Sequence, residues 1–454
     1  MRRIAFLFLA AASLLGVAAG ATRPRYGGTL RVMLLAAPNA VELSANAASA
    51  EYWDSARILA MIADNLVKTD VVGRPQPGLA VAWQSELNGK RWQFTLRRGV
   101  KFHDGSAASA TTIAQILGDR HSDWTVRGAG DSLTITIESE LPMPSLLAEL
   151  ALPQNTILKR TANGLPVGTG AFRVADFQPG KLLKLAANEE SWAGRPFADA
   201  IEIDLGRSQR DQAIALDLGK TDLVEAPPQA ATANGGSQRV RTSLPVELMA
   251  LVFSANSKAQ DARVREALAL AIDRKPIQSV LLKGAGELTA SILPNWMTGY
   301  SAVFPAQANV QRAKVVLAES RQPALTLSYD PRDPQAQLIA ERIALNAREV
   351  GITLQVSLSG AADVSLVRIV LPSSDPATSL REAARELGLP QPVIHGSAVD
   401  DLYPAERTLL DGHAVIPLFH LPVASAAGAR VRNWQPGRTG DWNLSEIWLE
   451  ADSR

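Results

Sequence analysis

Residues Ala324 to Leu358 restrict the fold more than any other stretch of this chain. Leu325, Leu327 and Tyr329 alternate with other residues at the period of a half-buried strand. Asp333-Pro334 follows, an N-cap residue and a proline for the first helical turn. Leu338, Ile339, Arg342, Ile343 and Leu345 predict a helical stripe, and Gly351 can sit just past the helix end. Ile352, Leu354, Val356 and Leu358 then form a second strand. Strand, helix and strand in this order make a crossover unit with parallel strands, which places at least one domain among α/β folds.

The 454 residues leave room for roughly three domains at ~150 residues each. Further strands are read at Thr29 to Leu34, at Trp92, Phe94 and Leu96, at Leu133, Ile135 and Ile137, and at Ile201, Ile203 and Leu205. Val264, Ala267, Leu268, Ala271 and Ile272 fall at helical spacing, with Asp261 as N-cap. Pattern breaks at 35–50, 160–170 and 226–240 suggest boundaries, the last holding Pro227-Pro228 and Asn234-Gly235-Gly236.

Composition excludes several classes of function. Lys and Arg total 46 against 45 Asp and Glu, so nothing points to a basic groove or a nucleic-acid partner. The chain has no cysteine, which removes disulfides, thiolate metal sites, thiol nucleophiles and a lipid-modified cysteine at an export site. Its five histidines, His103, His121, His395, His413 and His420, form no HExxH motif. Ile416 to Phe419 read as a strand between His413 and His420, which argues against a helical metal pair. There is no G-x-S-x-G elbow. Gly168-Thr169-Gly170 lacks a following Gly-Lys-Ser/Thr and reads as a tight strand-entry turn. Glu189-Glu190 and Asp400-Asp401 read as solvated surface, and no catalytic residue, metal or cofactor is implied.

The first residues read as a targeting segment. Arg2 and Arg3 precede the uncharged stretch Ile4 to Ala19, and Ala19-Gly20-Ala21 fits a small-x-small cleavage site. Residues 1–21 are expected to be removed, leaving Thr22 as the mature N-terminus and 44 basic against 45 acidic residues. The competing reading is an uncleaved anchor of 18 uncharged residues, Ile4 to Ala21. Export without an anchoring cysteine leads to the expectation of a periplasmic protein.

Tyr26-Gly27-Gly28-Thr29-Leu30-Arg31-Val32 resembles the mature start of the bacterial extracellular solute-binding proteins of family 5, the dipeptide and oligopeptide-binding type. The resemblance continues through Pro77-Gly78-Leu79-Ala80-Val81-Ala82-Trp83 and the run from Trp92 to Gly105. It extends to Gly168-Thr169-Gly170-Ala171-Phe172, to Val264-Arg265-Glu266-Ala267-Leu268 with Ile272-Asp273-Arg274, and to the apolar strand Ala414 to His420. The family implies an α/β, three-domain periplasmic binding protein fold of type II, cluster C-like. Domain I is then discontinuous, at 22–44, 166–255 and 424–454, a shortened domain II occupies 45–165, and a hinge-linked domain III occupies 256–423.

The family also implies a non-enzymatic, monomeric receptor that hands a peptide or peptide-like solute to an inner-membrane ABC permease. On this resemblance the substrate-binding residues are Tyr52, Trp53, Asn256, Trp296, Ser373, Ser374 and Asp375. Trp83, Trp92 and Phe102 read as sheet packing, and His103-Asp104-Gly105 as a turn. Crossings near Phe253 to Asn256 and near Ile416 to Pro422 are expected to form the hinge. One departure bears on cargo: peptide-binding members place an aspartate where this chain has Pro372, and Asp375 is the nearest carboxylate. A non-peptide ligand (a nickel chelate, haem, opine or sugar), a transporter-independent sensor and an extracytoplasmic enzyme remain alternatives.

Overall fold

The structure, a computed structural model, describes residues 23–43, 49–70, 73–128, 133–231, 239–300, 302–318, 320, 324–358, 362–394 and 399–450. The expected targeting segment and His395 lie outside the described residues. Among those described, no helix is long and apolar enough to cross a membrane.

The chain opens on strand β1 (Thr29–Met33), where Leu30 and Val32 point inward. Helix α1 (Ser49–Ile62) follows and packs Ile58, Leu59 and Ile62 into the same core. Its last turn fixes the Gly168-Thr169-Gly170 turn, because Gly170 donates its N–H to the Ile62 carbonyl at 2.9 Å. A Cβ on Gly170 would lie 2.7 Å from both Ile62 O and Met61 O, so backbone would have to move. Gly170→Ala is expected to cost about 1–3 kcal/mol, read as a lowered urea midpoint at unchanged slope.

An inserted unit comes next: β2 (Ala80–Glu86), β3 (Arg91–Leu96), α2 (Ala110–Gly118), β4 (Thr125–Gly128) and β5 (Thr134–Glu138). The strands form a four-stranded antiparallel sheet in the order β2-β3-β5-β4. Phe94, Leu96, Ile135 and Ile137 face inward and bury α2 through Ile113 and Leu117. Phe102 is buried in this core, and Trp83 and Trp92 pack against it. Gly105 closes the His103-Asp104 turn at φ 82°, a conformation that suits glycine.

The chain then re-enters the main sheet with β6 (Phe172–Gln178), β7 (Leu182–Ala187), β8 (Ala200–Asp204) and β9 (Leu223–Ala226). The second lobe is built from β10 (Val240–Phe253), α3 (Ala262–Ala271), β11 (Ala324–Tyr329), α4 (Pro334–Glu349), β12 (Thr353–Ser357) and β13 (Val364–Val370). Helices α5 (Pro376–Glu386) and α6 (Val399–Leu410) and strand β14 (Val415–Ala427) complete it. The crossover unit is present as expected, since β11 pairs in parallel with both β12 and β13. Asp261 caps α3 and Asp333 caps α4. The stripe of α4 differs from the expectation. Leu338 and Leu345 are half exposed, and the buried face is Ala336, Ile339, Ala340, Ile343, Asn346 and Ala347. Ile339 and Ile343 are buried as expected, and alanines 336, 340 and 347, rather than the leucines, complete the inner face.

All these main strands join one eleven-stranded mixed sheet, with the path β6-β7-β8-β1-β9-β14-β10-β13-β11-β12 and the short strand Glu287–Leu288 beside β14. Among the described residues, only β10 and β14 run through both lobes. Their first-lobe ends pair at Val240 to Thr242 with Ala424 to Ala426, and their second-lobe ends pair at Glu247 to Val252 with Val415 to Leu421. Between these stretches Pro245 faces Pro422 and the register shifts. Proline has no N–H to give a ladder, so hydrogen bonding thins where the lobes meet. Leu248, Met249 and Leu251 pack into the cores of the second lobe, so β10 enters that lobe within its own length.

Candidate functional site in the cleft between the lobes

One wall of the cleft grows from α1. Asp54 and Arg57 sit one turn apart on it, and both are buried. Arg57 Nη1 donates to Asp54 Oδ1 at 2.9 Å and to Glu225 Oε1, on β9, at 2.8 Å. The other oxygens accept backbone N–H groups, Ala36 N to Asp54 at 3.1 Å and Leu35 N to Glu225 at 2.6 Å. Burial, and then the Glu225 charge, push the Asp54 carboxyl well above the usual carboxylate range. The Arg57 guanidinium also lies 4.7 Å from the Trp442 ring centroid.

The facing wall repeats this arrangement on the second lobe. Arg368, on β13, donates through Nη1 to Asp333 Oδ2 at 3.0 Å, and its Nε lies 3.2 Å from Glu247 Oε1 on β10. Asp333 uses its other oxygen to cap α4, accepting from Gln335 N at 2.9 Å. Burial raises the Glu247 carboxyl above its ordinary value although Arg368 pulls the other way. Charges of the first wall, Arg57 and Glu225, reach Glu247 across the gap. Each wall therefore holds two carboxylates around one guanidinium.

Between the walls lies a cavity of about 720 Å³, lined by both triads and by Tyr52, Trp53 and Tyr329. A second cavity of about 810 Å³ meets it at Trp53, Arg57, Val370 and Val423 and extends to Pro372 and Trp442. Tyr52 and Trp53 form an edge-to-face pair with centroids 5.7 Å apart. The Tyr52 hydroxyl donates to Gln154 Oε1 at 3.1 Å, and burial pushes its pKa up.

The other residues singled out from sequence lie elsewhere. Asp375 caps α5: its Oδ2 accepts from Thr378 N at 2.9 Å and from the Thr378 hydroxyl at 2.6 Å. Ser373 accepts the Asp375 N–H at 3.0 Å, and Ser374 packs against Gly73, where a Cβ would come within 2.6 Å of its Oγ. Asn256 is exposed in the turn after β10. Trp296 donates its indole N–H to Pro245 O at 2.9 Å, with Arg438 4.7 Å from its ring centroid. None of these five side chains lines either cavity. Sequence reasoning missed Asp54, Arg57, Glu225, Glu247, Asp333 and Arg368 as cleft residues. The available signal was a charge inside an apolar strand, Glu247 between Val246 and Leu248 and Arg368 between Val367 and Ile369.

Residues 74–364 match the model of the bacterial extracellular solute-binding proteins, family 5 (middle region). The chain belongs to this family. A curated relative, the nickel-binding periplasmic protein of Escherichia coli K12, is 25% identical over 347 residues, 66% of this chain and 66% of its own length. Two solved structures share the fold at a TM-score of 0.80 each, covering 93% of this chain and 100% of theirs. One is NikA of Staphylococcus aureus in complex with Ni(L-His)2, at 17% identity. The other is a dipeptide-binding protein from Pseudoalteromonas sp. SM9913 in complex with Met-Leu, at 18% identity. The mixed α/β architecture is thus the periplasmic binding protein fold. Of the six charged cleft residues, Asp54, Arg57 and Arg368 fall outside the matched region.

Proposed function

We propose that this chain is the periplasmic receptor of an ABC importer, a monomer that takes a small solute into the cleft and presents it, unaltered, to the permease. The observation that carries this reading is the cavity of about 720 Å³ between two lobes through which, among the described residues, β10 and β14 alone run. Opposed prolines at positions 245 and 422, where the ladder shifts register, support a hinge at Thr242 to Glu247 and Leu421 to Ala424. This reading keeps the Pro422 end of the expected crossing on β14 and moves the one on β10 from Phe253, which pairs with Val364, to Pro245.

Ordinary free peptides are not the cargo in this reading. A peptide amino terminus needs a fixed carboxylate, because burying the cation unpaired costs several kcal/mol. Pro372 stands at the position where peptide-binding members carry it, and the Asp375 side chain is engaged as a helix cap. The non-peptide alternative is therefore preferred, since a peptide must also seat its terminal carboxylate and each guanidinium at the cavity already pairs with a carboxylate of this chain. Native mass spectrometry of the protein from periplasmic extract is expected to show a retained small molecule and a chain beginning at Thr22. Small-angle scattering is expected to show a smaller radius of gyration with that molecule than after its removal. A full-length membrane-bound product, or identical scattering curves with binding shown independently, sinks the reading.

A further inference from the structure

Carboxyl groups outnumber guanidinium groups on both walls of the cleft. Asp54 and Glu225 share Arg57, and Glu247 and Asp333 share Arg368. The remaining cations at the cavity are matched within their own lobe, Arg332 by Asp330 at 2.7 Å and Arg385 by Glu382 at 2.8 Å. An anionic solute would thus meet two walls with more carboxyl than guanidinium groups and, among the described residues lining this cavity, no guanidinium without a carboxylate of its own. Glu247 adds a second, separate observation. Its side chain is only 15% exposed, its sole described partner is the Arg368 Nε ion pair, and it accepts no hydrogen bond from any described residue. A buried carboxylate on the cavity wall with unused acceptor capacity is a place for a donor from outside the chain. The same cavity is lined by Tyr52, Trp53 and Tyr329, and aromatic rings beside carboxylates suit a cation.

We propose that the solute is an organic cation, carrying an amine or guanidinium group that binds Glu247 and the Asp54–Glu225 pair across the cleft. This rests on the receptor reading above and gives it a ligand class. Closing the lobes brings the two surplus carboxylates onto one cation, so the ligand itself supplies the attraction that holds the closed form. The same groups make binding release protons: Asp54, facing Arg57 and Glu225, and Glu247, facing Arg368, Asp333, Arg57 and Glu225, are both held above the usual carboxylate range when empty. A cation lowers both, so affinity falls as pH falls.

The test is isothermal titration of the full mature chain, freed of cargo by reversible unfolding, with spermidine, agmatine and L-arginine. Glutamate, trehalose and glycylglycine serve as comparators. At least one cation is expected to bind saturably at one per chain while the comparators do not. Glu247→Gln is expected to weaken that cation about tenfold or more. Should that variant not fold, titration of the wild type in buffers of different ionisation enthalpy is expected to show proton release. Binding of a comparator that Glu247→Gln leaves unchanged overturns the ligand class and leaves the receptor reading standing, as does a neutral or anionic cargo in native mass spectrometry. A cationic cargo found there supports the class even if the three probes fail. No retained cargo and no binding by any titrant overturns both.

Discussion

Asp222→Ala is expected to be among the most destabilising single changes in this chain, costing about 3–4 kcal/mol. Asp222 sits just ahead of β9 and is 2% exposed. Its carboxylate accepts the Arg31 N–H at 2.8 Å, Arg31 Nε and Nη2 at 3.1 Å, and Arg430 Nε and Nη2 at 2.6 and 2.8 Å. Arg31 lies on β1 and Arg430 just past β14, so one carboxylate ties three neighbouring strands of the sheet at a single edge. Removing it leaves two guanidinium groups facing each other over an unfilled backbone N–H. Asp222→Asn keeps one acceptor and is expected to cost less. Burial raises the Asp222 pKa, but the bonds from Arg430 and Arg31 outweigh it and hold the group below its ordinary value. A depressed carboxyl stabilises above the unfolded value of ~3.9 and loses that contribution as pH falls below it. The gap between wild type and Asp222→Ala in urea is therefore expected to narrow in acid. A gap under about 1 kcal/mol at pH 7 would count against this account.

Local pattern carried the parts of the fold that depend on local pattern. The crossover unit from Ala324, the strand through Trp92 to Leu96 and the cap of α3 at Asp261 were all legible, because period and capping chemistry act within a few residues. The outward leucines of α4 show the limit of that signal. Leu338 reads as inner because it is apolar, yet it is half exposed while Ala336 and Ala340 are buried. The cleft was less legible still. Its pairings join Arg57 to Glu225, Glu247 to Arg368 and Arg368 to Asp333, and nothing local marks residues so far apart as partners. Asp54 and Arg57 alone look like an ordinary one-turn pair on a helix surface. The family resemblance located the cleft near Tyr52 and Trp53, but it offered no guide to charges that this chain places there.

Glu406→Gln is expected to make the protein more stable at pH 8 than the wild type, by roughly 2–3 kcal/mol, and to leave it nearly unchanged at pH 5. Glu406 lies on α6 and is fully buried. It accepts the backbone N–H of Ile292 and of Leu293 (the latter at 2.9 Å) and faces the Tyr300 hydroxyl. Burial outweighs those hydrogen bonds and pushes its pKa up to about 7. The unfolded chain ionises this group near 4.3, so between that value and about 7 the folded state binds more protons. Stability therefore falls as pH rises through this window. His420 opposes it. Buried and donating from Nε2 to Ile292 O at 2.9 Å, it is held down to about 4, so its contribution is lost as pH falls from ~6.5. The wild type thus has two slopes of opposite sign acting on one residue, Ile292. Glutamine mimics the protonated acid, accepting both N–H groups through its oxygen and donating to Tyr300, and it removes the falling limb alone. The variant should then keep the rise from pH 4 to 6.5 that His420 supplies and lose the part of the later decline that Glu406 supplies. Glu406→Leu separates charge from hydrogen bonding. It leaves three donors without an acceptor and is expected to cost about 3–5 kcal/mol at both pH values. Urea unfolding of the three proteins at pH 5 and pH 8 decides the matter. Parallel behaviour of wild type and Glu406→Gln across that range would mean that Glu406 is ionised in the folded protein, stabilised as the carboxylate by the two N–H groups at Ile292 and Leu293.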